Sequence, residues 1–323
     1  MNPRKRRRGR RLLVTAAILL AAWAALAVAK RRWDERTLHL YDPAVPLDVQ
    51  AGPRALQDGF VREPFSFQAL PGERVPVAAA LPTGATNRLP AILFFYGSGM
   101  SMDFANKVDA VMTQAGFAFF VPEQYNRGER RIRGLSWLGE ALAMRRRVFV
   151  TGQEMRRLVD AVSARSDVDP SRIYFWGASF GAMTCCRSVA EEPRIRASVM
   201  TLSGGDFARM VRESPARAQV PRWARPLARV AVWLLAPLDP VKTVGALAPR
   251  PVLFQNTRAD DLIPRSCVEE LYAAAGEPKE IAWYDMTHNH IQRDGVITLL
   301  QDGLAWVRRQ DARLAPRAGG GGQ

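Results

Sequence analysis

Tyr174-Phe175-Trp176-Gly177-Ala178-Ser179-Phe180-Gly181-Ala182-Met183 (YFWGASFGAM) is the stretch on which the reading of this chain turns. Glycine-x-serine-x-glycine is too short a pattern to carry a conclusion alone, so its setting matters more. Arg172 to Trp176 (RIYFW) has the apolar run of a strand covered on both faces, and Ala182 to Ala190 has the composition of a helix that ends near Pro193. Strand, glycine turn and helix together hold a serine in a strained backbone conformation, with small neighbours that avoid clashes. The helix N-terminus then aims amides and dipole at the serine, which favours developing negative charge. The plain alternative is a turn serine without chemistry, and its partners decide between the two.

A serine hydroxyl is a poor nucleophile at neutral pH and needs a histidine base, usually oriented by a carboxylate. The chain has three histidines, His39, His288 and His290. His39 lies in the linker after an apolar N-terminal segment, so the base is His288 or His290, both in WYDMTHNHI (283–291). For the acid, QNTRADDLIP (255–264) follows the strand-like PVLFQ (251–255) and offers Asp260 and Asp261. The chain order is therefore serine, aspartate, histidine, each just past the C-terminal end of a strand, where open α/β sheets carry their sites. Each partner has a bland reading too: a solvated acidic turn pair, or a loop histidine packed on Trp283.

Around these stretches the pattern is regular. Phe65 to Gln68, Arg74 to Leu81, Ala91 to Tyr96, Phe117 to Pro122, Val199 to Leu202 and Ile281 to Tyr284 are short apolar runs punctuated by Gly, Pro and Asn, and read as further strands. Met155, Leu158, Val159 and Val162 fall at helical spacing before a turn at Asp167 to Ser171 (DVDPS). Strands alternating with helices imply right-handed crossovers and a mostly parallel sheet flanked by helices. At 323 residues the chain is long enough for one large α/β domain with appendages.

With these residues in place, about three quarters of the chain, from about Phe65 to Trp306, resembles the α/β-hydrolase fold, nearest to its dienelactone hydrolase, acetyl xylan esterase and prolyl oligopeptidase-like branches. DVDPSRIYFWGASFGA (167–182), APRPVLFQNTRADDLIP (248–264) and YDMTHN (284–289) carry the resemblance. It implies Asp260, first residue of a D-x-x-[VI]-P pattern, as the acid in preference to Asp261, and His288 as the base in preference to His290. It also implies an oxyanion hole built from the backbone N–H of Phe180 and that of Ser98, in Tyr96-Gly97-Ser98-Gly99. Relatives usually have His-Gly where this chain has Tyr96-Gly97. A second departure is Ala182, where a further glycine is common. The implied activity is serine hydrolysis of a carboxylic ester with no metal or organic cofactor. Thioesterase, peptidase and acyltransferase chemistry, or a non-catalytic binding protein on the same scaffold, are the alternatives.

From Leu12 to Ala29 (LLVTAAILLAAWAALAVA) no charge occurs, and basic clusters flank the run. As a helix it spans about 27 Å, close to the ~30 Å hydrocarbon thickness. The layout also fits a secretory signal, with small residues near Ala27 and Ala29 and a faint twin-arginine look at Arg10-Arg11. The length favours an uncleaved anchor. Seven basic residues before the segment outweigh those after it, which puts the N-terminus in the cytoplasm and the body outside. The expected organisation is a basic N-terminus and anchor at 1–33, a linker at 34–60, a hydrolase domain at 61–311 with a cap insertion near 207–240, and a disordered tail at 312–323. In the cap, PRWARPLARVAVWLLAP (221–237) is expected to be a helix with a solvated basic face, with Arg222, Arg225 and Arg229 docked on anionic lipid as the sharper reading.

The formal net charge of +15 would ordinarily raise nucleic-acid binding, but much of it sits beside the apolar segment and no nucleic-acid motif accompanies it, so nucleic acid is excluded as a partner. The expected partners are a small-molecule or lipid-like ester and a membrane met through residues 12–29. Cys185, Cys186 and Cys267 have neither disulfide nor metal-ligand spacing and read as small buried side chains.

Overall fold

In a computed structural model the described residues are 3–215, 217, 221–289 and 291–314. They fall into two compact units, Met1–Leu40 and Tyr41–Gln323. The first is one helix, α1 (Pro3–Leu38), and its segment Leu13–Leu38 has a mean hydropathy of 2.1, long and apolar enough to cross a membrane.

In the second unit the strands are β1 (Gln50–Ala51), β2 (Ala55–Gln57), β3 (Phe60–Arg62), β4 (Phe65–Leu70), β5 (Glu73–Pro82), β6 (Leu89–Phe95), β7 (Ala118–Pro122), β8 (Val168–Ala178), β9 (Ile195–Thr201), β10 (Val252–Thr257) and β11 (Lys279–Tyr284). They form one sheet in the order β1-β4-β5-β7-β6-β8-β9-β10-β11, with β3 on β5 and β2 on β3. From β7 to β11 every neighbouring pair is parallel, whereas the pairs before β7 are antiparallel. Parallel neighbours need crossovers, and helices supply them: α2 (Ala105–Gln114), α3 (Trp137–Ser163), α4 (Phe180–Glu191), α7 (Arg265–Ala274) and the closing α8 (Arg293–Leu314). Between β9 and β10 the chain makes a helical excursion with α5 (Phe207–Glu213) and α6 (Arg225–Leu235), which pack on each other.

Side-chain alternation explains why the central strands are apolar throughout. In β6, Ala91, Leu93 and Phe95 join the core layer under α3, α4 and α7, while Ile92 and Phe94 join the opposite layer under α2 and α8. In β8, Ile173 and Phe175 face the first layer and Tyr174 and Trp176 the second. Strand β8 is thus fixed from both sides at the point where it hands over to the Ser179 turn. Its far end is tied by Asp311 of α8, which accepts from Arg172 and from the Tyr174 hydroxyl. Burial raises the Asp311 carboxyl, but those donors outweigh it and hold the group below the usual carboxylate range.

Three sequence expectations are corrected here. The stretch 34–60 is not a plain linker: α1 runs on to Leu38, and β1 and β2 lie inside it and join the sheet. Of the turn expected at Asp167 to Ser171, Asp167 is in a turn and the rest lies inside β8. Val168 pairs with Leu89 and Ile173 with Ala91, so the residues between bulge from the ladder, and Asp169 closes the bulge by accepting from Ser171 N at 2.9 Å. Finally, α8 continues through Leu314, so the tail starts no earlier than residue 315, and 315–323 lie outside the described residues.

Candidate active site

Ser179 stands between β8 and α4 with φ 50° and ψ −114°, a conformation that costs an ordinary residue roughly 1–3 kcal/mol. Its surroundings hold it there: Ser179 N donates to Thr201 O at 2.8 Å, and Ser179 O accepts from Met183 N at 3.1 Å as the first turn of α4 begins. The two glycines of the motif are demanded by space. A Cβ on Gly177 would lie 2.5 Å from Ala182 Cα, and one on Gly181 would lie 2.1 Å from Phe95 O. Helix α4 is pressed onto β6 and β8 so closely that only hydrogen fits at those positions.

The tertiary fold brings His288 and Asp260 to this serine. His288 Nε2 lies 3.0 Å from Ser179 Oγ, and His288 Nδ1 lies 2.9 Å from Asp260 Oδ2. Both side chains are largely out of solvent, 8% exposed for His288 and 4% for Asp260. Asp260 Oδ1 accepts from the backbone N–H of Leu262 at 2.8 Å and of Ile263 at 2.7 Å. The carboxylate is therefore anchored through one oxygen and presents the other to the imidazole. In the neutral ring, Nδ1–H donates to Asp260 and Nε2 accepts from the serine hydroxyl.

Asp261, the alternative acid, is occupied differently. Its Oδ1 accepts from His288 N at 3.0 Å and Asn289 N at 3.1 Å, and its Oδ2 from Asn289 Nδ2 at 2.9 Å. Burial pushes its carboxyl up, but these donors prevail and hold it below the ordinary value. The adjacent aspartates thus divide the work: one meets the ring of His288 and the other ties down the loop that carries it. His290, the alternative base, lies outside the described residues. His39 follows the end of α1.

The loop after β6 approaches from the other side. A Cβ on Gly97 would sit 3.5 Å from Ser179 Cβ, and Ser98, Ser179, Phe180 and His288 share the walls of one cavity. Tyr96, where the resemblance implied histidine, packs in the α2/α8 core layer. Its hydroxyl bonds Glu123 and accepts from Gln124 N at 2.9 Å, while Gln124 Nε2 donates to Tyr96 O at 2.9 Å. Burial, then the Glu123 charge, pushes the Tyr96 hydroxyl well up, so it remains a neutral donor.

Sequence reading missed the next members of this network. Arg147 of α3, 1% exposed, donates to Gln124 Oε1 from Nε at 3.1 Å and from Nη2 at 2.5 Å. Its guanidinium lies 4.2 Å from the centroid of the Phe180 ring. One buried chain, Tyr96 to Gln124 to Arg147 to Phe180, therefore links the two segments expected to form the oxyanion hole. Burial, and then the charge of Arg127, pulls Arg147 down to about 10. Its only signal in the sequence is a basic residue inside an otherwise buried helical stretch; Arg145 is buried as well, over the Phe149 ring, and nothing local tells which of Arg145, Arg146 and Arg147 meets Phe180.

The cavity over Ser179 measures about 690 Å³ and is roofed by α5 and α6. Here the cap departs from expectation. Arg225 and Arg229 line the cavity, Arg229 with its outer part exposed, while the apolar Trp223, Leu227 and Val230 are also exposed, at 76%, 57% and 51%. Arg222 and Arg229 are exposed, as a solvated basic face requires, but Arg225 is half-buried, and of the three arginines expected to meet lipid only Arg222 is absent from the cavity wall. Residues 216 and 218–220 of the insertion lie outside the described residues. The three cysteines are free and buried, and burial raises their thiols, Cys186 to about 12 and Cys267 to about 11.

Comparison with known proteins agrees with this architecture. No family model matches the chain. The esterase YjfP of Escherichia coli K12 is 24% identical over 201 residues, 59% of this chain and 76% of that protein. Among solved structures, an acetyl xylan esterase from Paenibacillus sp. R4 superposes with a TM-score of 0.67 at 17% identity, covering 84% of this chain and 93% of its own. Acetyl xylan esterase 1 from Thermoanaerobacterium sp. JW/SL YS485 gives 0.63 at 22% identity, covering 85% and 93%. A cold-adapted esterase from an Arctic intertidal metagenomic library gives 0.61 at 15%, covering 80% and 97%. Sheet order, the strand-turn-helix at Ser179 and these likenesses together show that the chain has the α/β-hydrolase fold.

Proposed function

We propose that the protein hydrolyses carboxylic esters through an acyl-enzyme on Ser179, with His288 as general base and acid and Asp260 as its orienting carboxylate. The observation that carries this reading is the unbroken hydrogen-bond chain from Ser179 Oγ through His288 to Asp260, at 3.0 Å and 2.9 Å. Ser179 Oγ attacks the acyl carbon while His288 Nε2 takes its proton. The resulting oxyanion is held by the N–H groups of Phe180 and Ser98. Collapse expels the alcohol, which takes the proton back from His288, and water then repeats the sequence on the acyl-enzyme. Asp260 holds the Nδ1–H tautomer and balances the imidazolium as it forms. The esterase names of the relatives support an ester as substrate.

The test uses the full-length chain in detergent micelles with a fluorophosphonate probe and p-nitrophenyl acetate. The wild type is expected to be labelled and to turn over the ester, and Ser179→Ala to do neither. A wild type that neither labels nor turns over any p-nitrophenyl ester would discard the reading in favour of a binding protein on this scaffold.

We further place α1 across a membrane with the hydrolase unit on the extracytoplasmic side, or exported if the segment is cleaved. Support comes from the apolar helix near the N-terminus and the excess of basic residues before it. Recovery of all the protein in the soluble cytosolic fraction would refute that placement.

A further inference from the structure

The cavity over Ser179 combines two features that a simple acetyl ester would not use. Its walls are apolar over much of their extent, through Met183, Met210, Val211, Val232, Leu262 and Ile263. Into the same space come four arginines, Arg212 and Arg217 from the α5 side and Arg225 and Arg229 from α6. Among the described residues no acidic side chain lines the cavity, and no ion pair joins any of the four to a carboxylate. What they do bond is sparse: Arg217 Nη1 donates to Arg212 O at 2.8 Å, and the buried Nε of Arg225 has no partner.

Elsewhere the chain pairs its arginines carefully, as in Arg172 with Asp311, Arg130 with Glu154 and Arg194 with Asp160 and Glu192. Arg212, Arg217 and Arg229 are exposed at the mouth of the cavity and Arg225 is half-buried. An amphipathic cap helix lying on a protein turns its apolar side inward and its charges to water. Helix α6 sets Arg225 and Arg229 at the cavity and leaves Leu227 and Val230 to solvent. Four like charges around one apolar space repel each other, and an anion entering that space relieves the repulsion while gaining charge-assisted, bidentate hydrogen bonds.

Building on the ester-hydrolase reading above, we propose that the substrate is an anionic amphiphile: an ester with an apolar chain seated along Met183, Val232 and Ile263 and a carboxylate or phosphate group held by Arg212, Arg225 and Arg229. The charge has two chemical sources, an acyl chain ending in a carboxylate or a phosphate on the alcohol portion, as in an anionic lipid.

The experiment uses the full-length chain in neutral detergent and two matched pairs. One pair is p-nitrophenyl octanoate against the mono-p-nitrophenyl ester of octanedioic acid. The other is diacylglycerol against phosphatidic acid of the same acyl composition, presented in mixed micelles. In at least one pair the anionic member is expected to have the higher kcat/KM by about tenfold or more at low salt, falling as ionic strength rises, because the guanidinium groups are partly solvated. In the Arg225→Gln/Arg229→Gln variant, checked for an unchanged melting temperature, the anionic-to-neutral ratio is expected to collapse toward one. Preference within the first pair assigns the charge to the acyl chain, and preference within the second to the alcohol. Equal or lower kcat/KM for both anionic members, or a ratio that survives the double substitution, overturns the proposal. Turnover of p-nitrophenyl octanoate together with fluorophosphonate labelling of Ser179 in that event leaves the ester-hydrolase reading standing, so the two failures are distinguishable.

Discussion

His288→Ala is expected to lower kcat/KM for a p-nitrophenyl ester by about 10⁴-fold or more, and Ser179→Ala to do no worse in combination with it than alone. The reason is geometric. Among the described residues the ring nitrogen that meets the serine hydroxyl is His288 Nε2, at 3.0 Å, and without it the hydroxyl remains a neutral alcohol. Asp260→Asn should cost somewhat less but still about 10³- to 10⁴-fold, since an amide in place of Oδ2 favours the tautomer with its proton on Nε2, aimed at the serine instead of accepting from it. Asp261→Asn is the informative companion. It meets only backbone N–H groups and Asn289, so it is expected to keep most of the turnover and to lose thermal stability of the His288 loop. Steady-state kinetics with circular-dichroism melting would check the series. A larger loss in Asp261→Asn than in Asp260→Asn would reverse the assignment of the two aspartates.

The second large effect is expected far from the triad in sequence. Replacing Arg147 by methionine should cut kcat by about 10- to 100-fold with little change in KM, a part of the cost of losing an oxyanion donor outright. Arg147 touches no reacting atom; it acts as a positioning residue. Its guanidinium covers the ring of Phe180 and grips Gln124, which in turn binds the backbone and hydroxyl of Tyr96 two residues before Ser98. Methionine keeps the volume and removes a buried cation whose Nη1 has no partner, so stability should fall by no more than about 1–2 kcal/mol, the cost of leaving Gln124 Oε1 without its donor. Arg147→Lys, which keeps charge but loses the planar stack, should recover only part of the rate. An Arg147→Met protein with wild-type kcat and a lowered melting temperature would reduce the network to a structural role.

Tyr96 bears on whether the scaffold is catalytic at all, being the departure from the His-Gly that the resemblance implied. Its side chain is buried among core residues and hydrogen-bonded there, while the following Gly97 and Ser98 stay at the cavity. The substitution therefore changes what braces the loop and leaves the loop's backbone where it can donate.

Much of this protein is legible from local chemistry. Strands with both faces apolar, such as Ala91 to Tyr96 and Arg172 to Trp176, can only be covered by helices on two sides, and that constraint points to a parallel α/β sheet. The turn at Ser179 is local in part: Gly177 answers contacts with Phe175 and Ala182 in the same strand, turn and helix, whereas Gly181 answers Phe95 of β6, which the tertiary fold brings up. The order of serine, aspartate and histidine follows from three loops at strand ends. What the local pattern left open was set by contacts between distant segments. Asp260 and Asp261 are neighbours of the same type, and only the return of the His288 loop over β10 and β11 distinguishes the one that meets an imidazole from the one that meets backbone. Arg145, Arg146 and Arg147 are likewise one basic run, and only the packing of α3 beside α4 turns the last of them beneath Phe180. The cap shows the limit most clearly: composition foretold a helix with a solvated basic face, and Arg222 and Arg229 are indeed exposed, but that Arg225 and Arg229 also line the cavity was not legible. Amphipathic pattern reports which residues share a face of a helix, and the direction that face takes is decided by whatever the helix packs against.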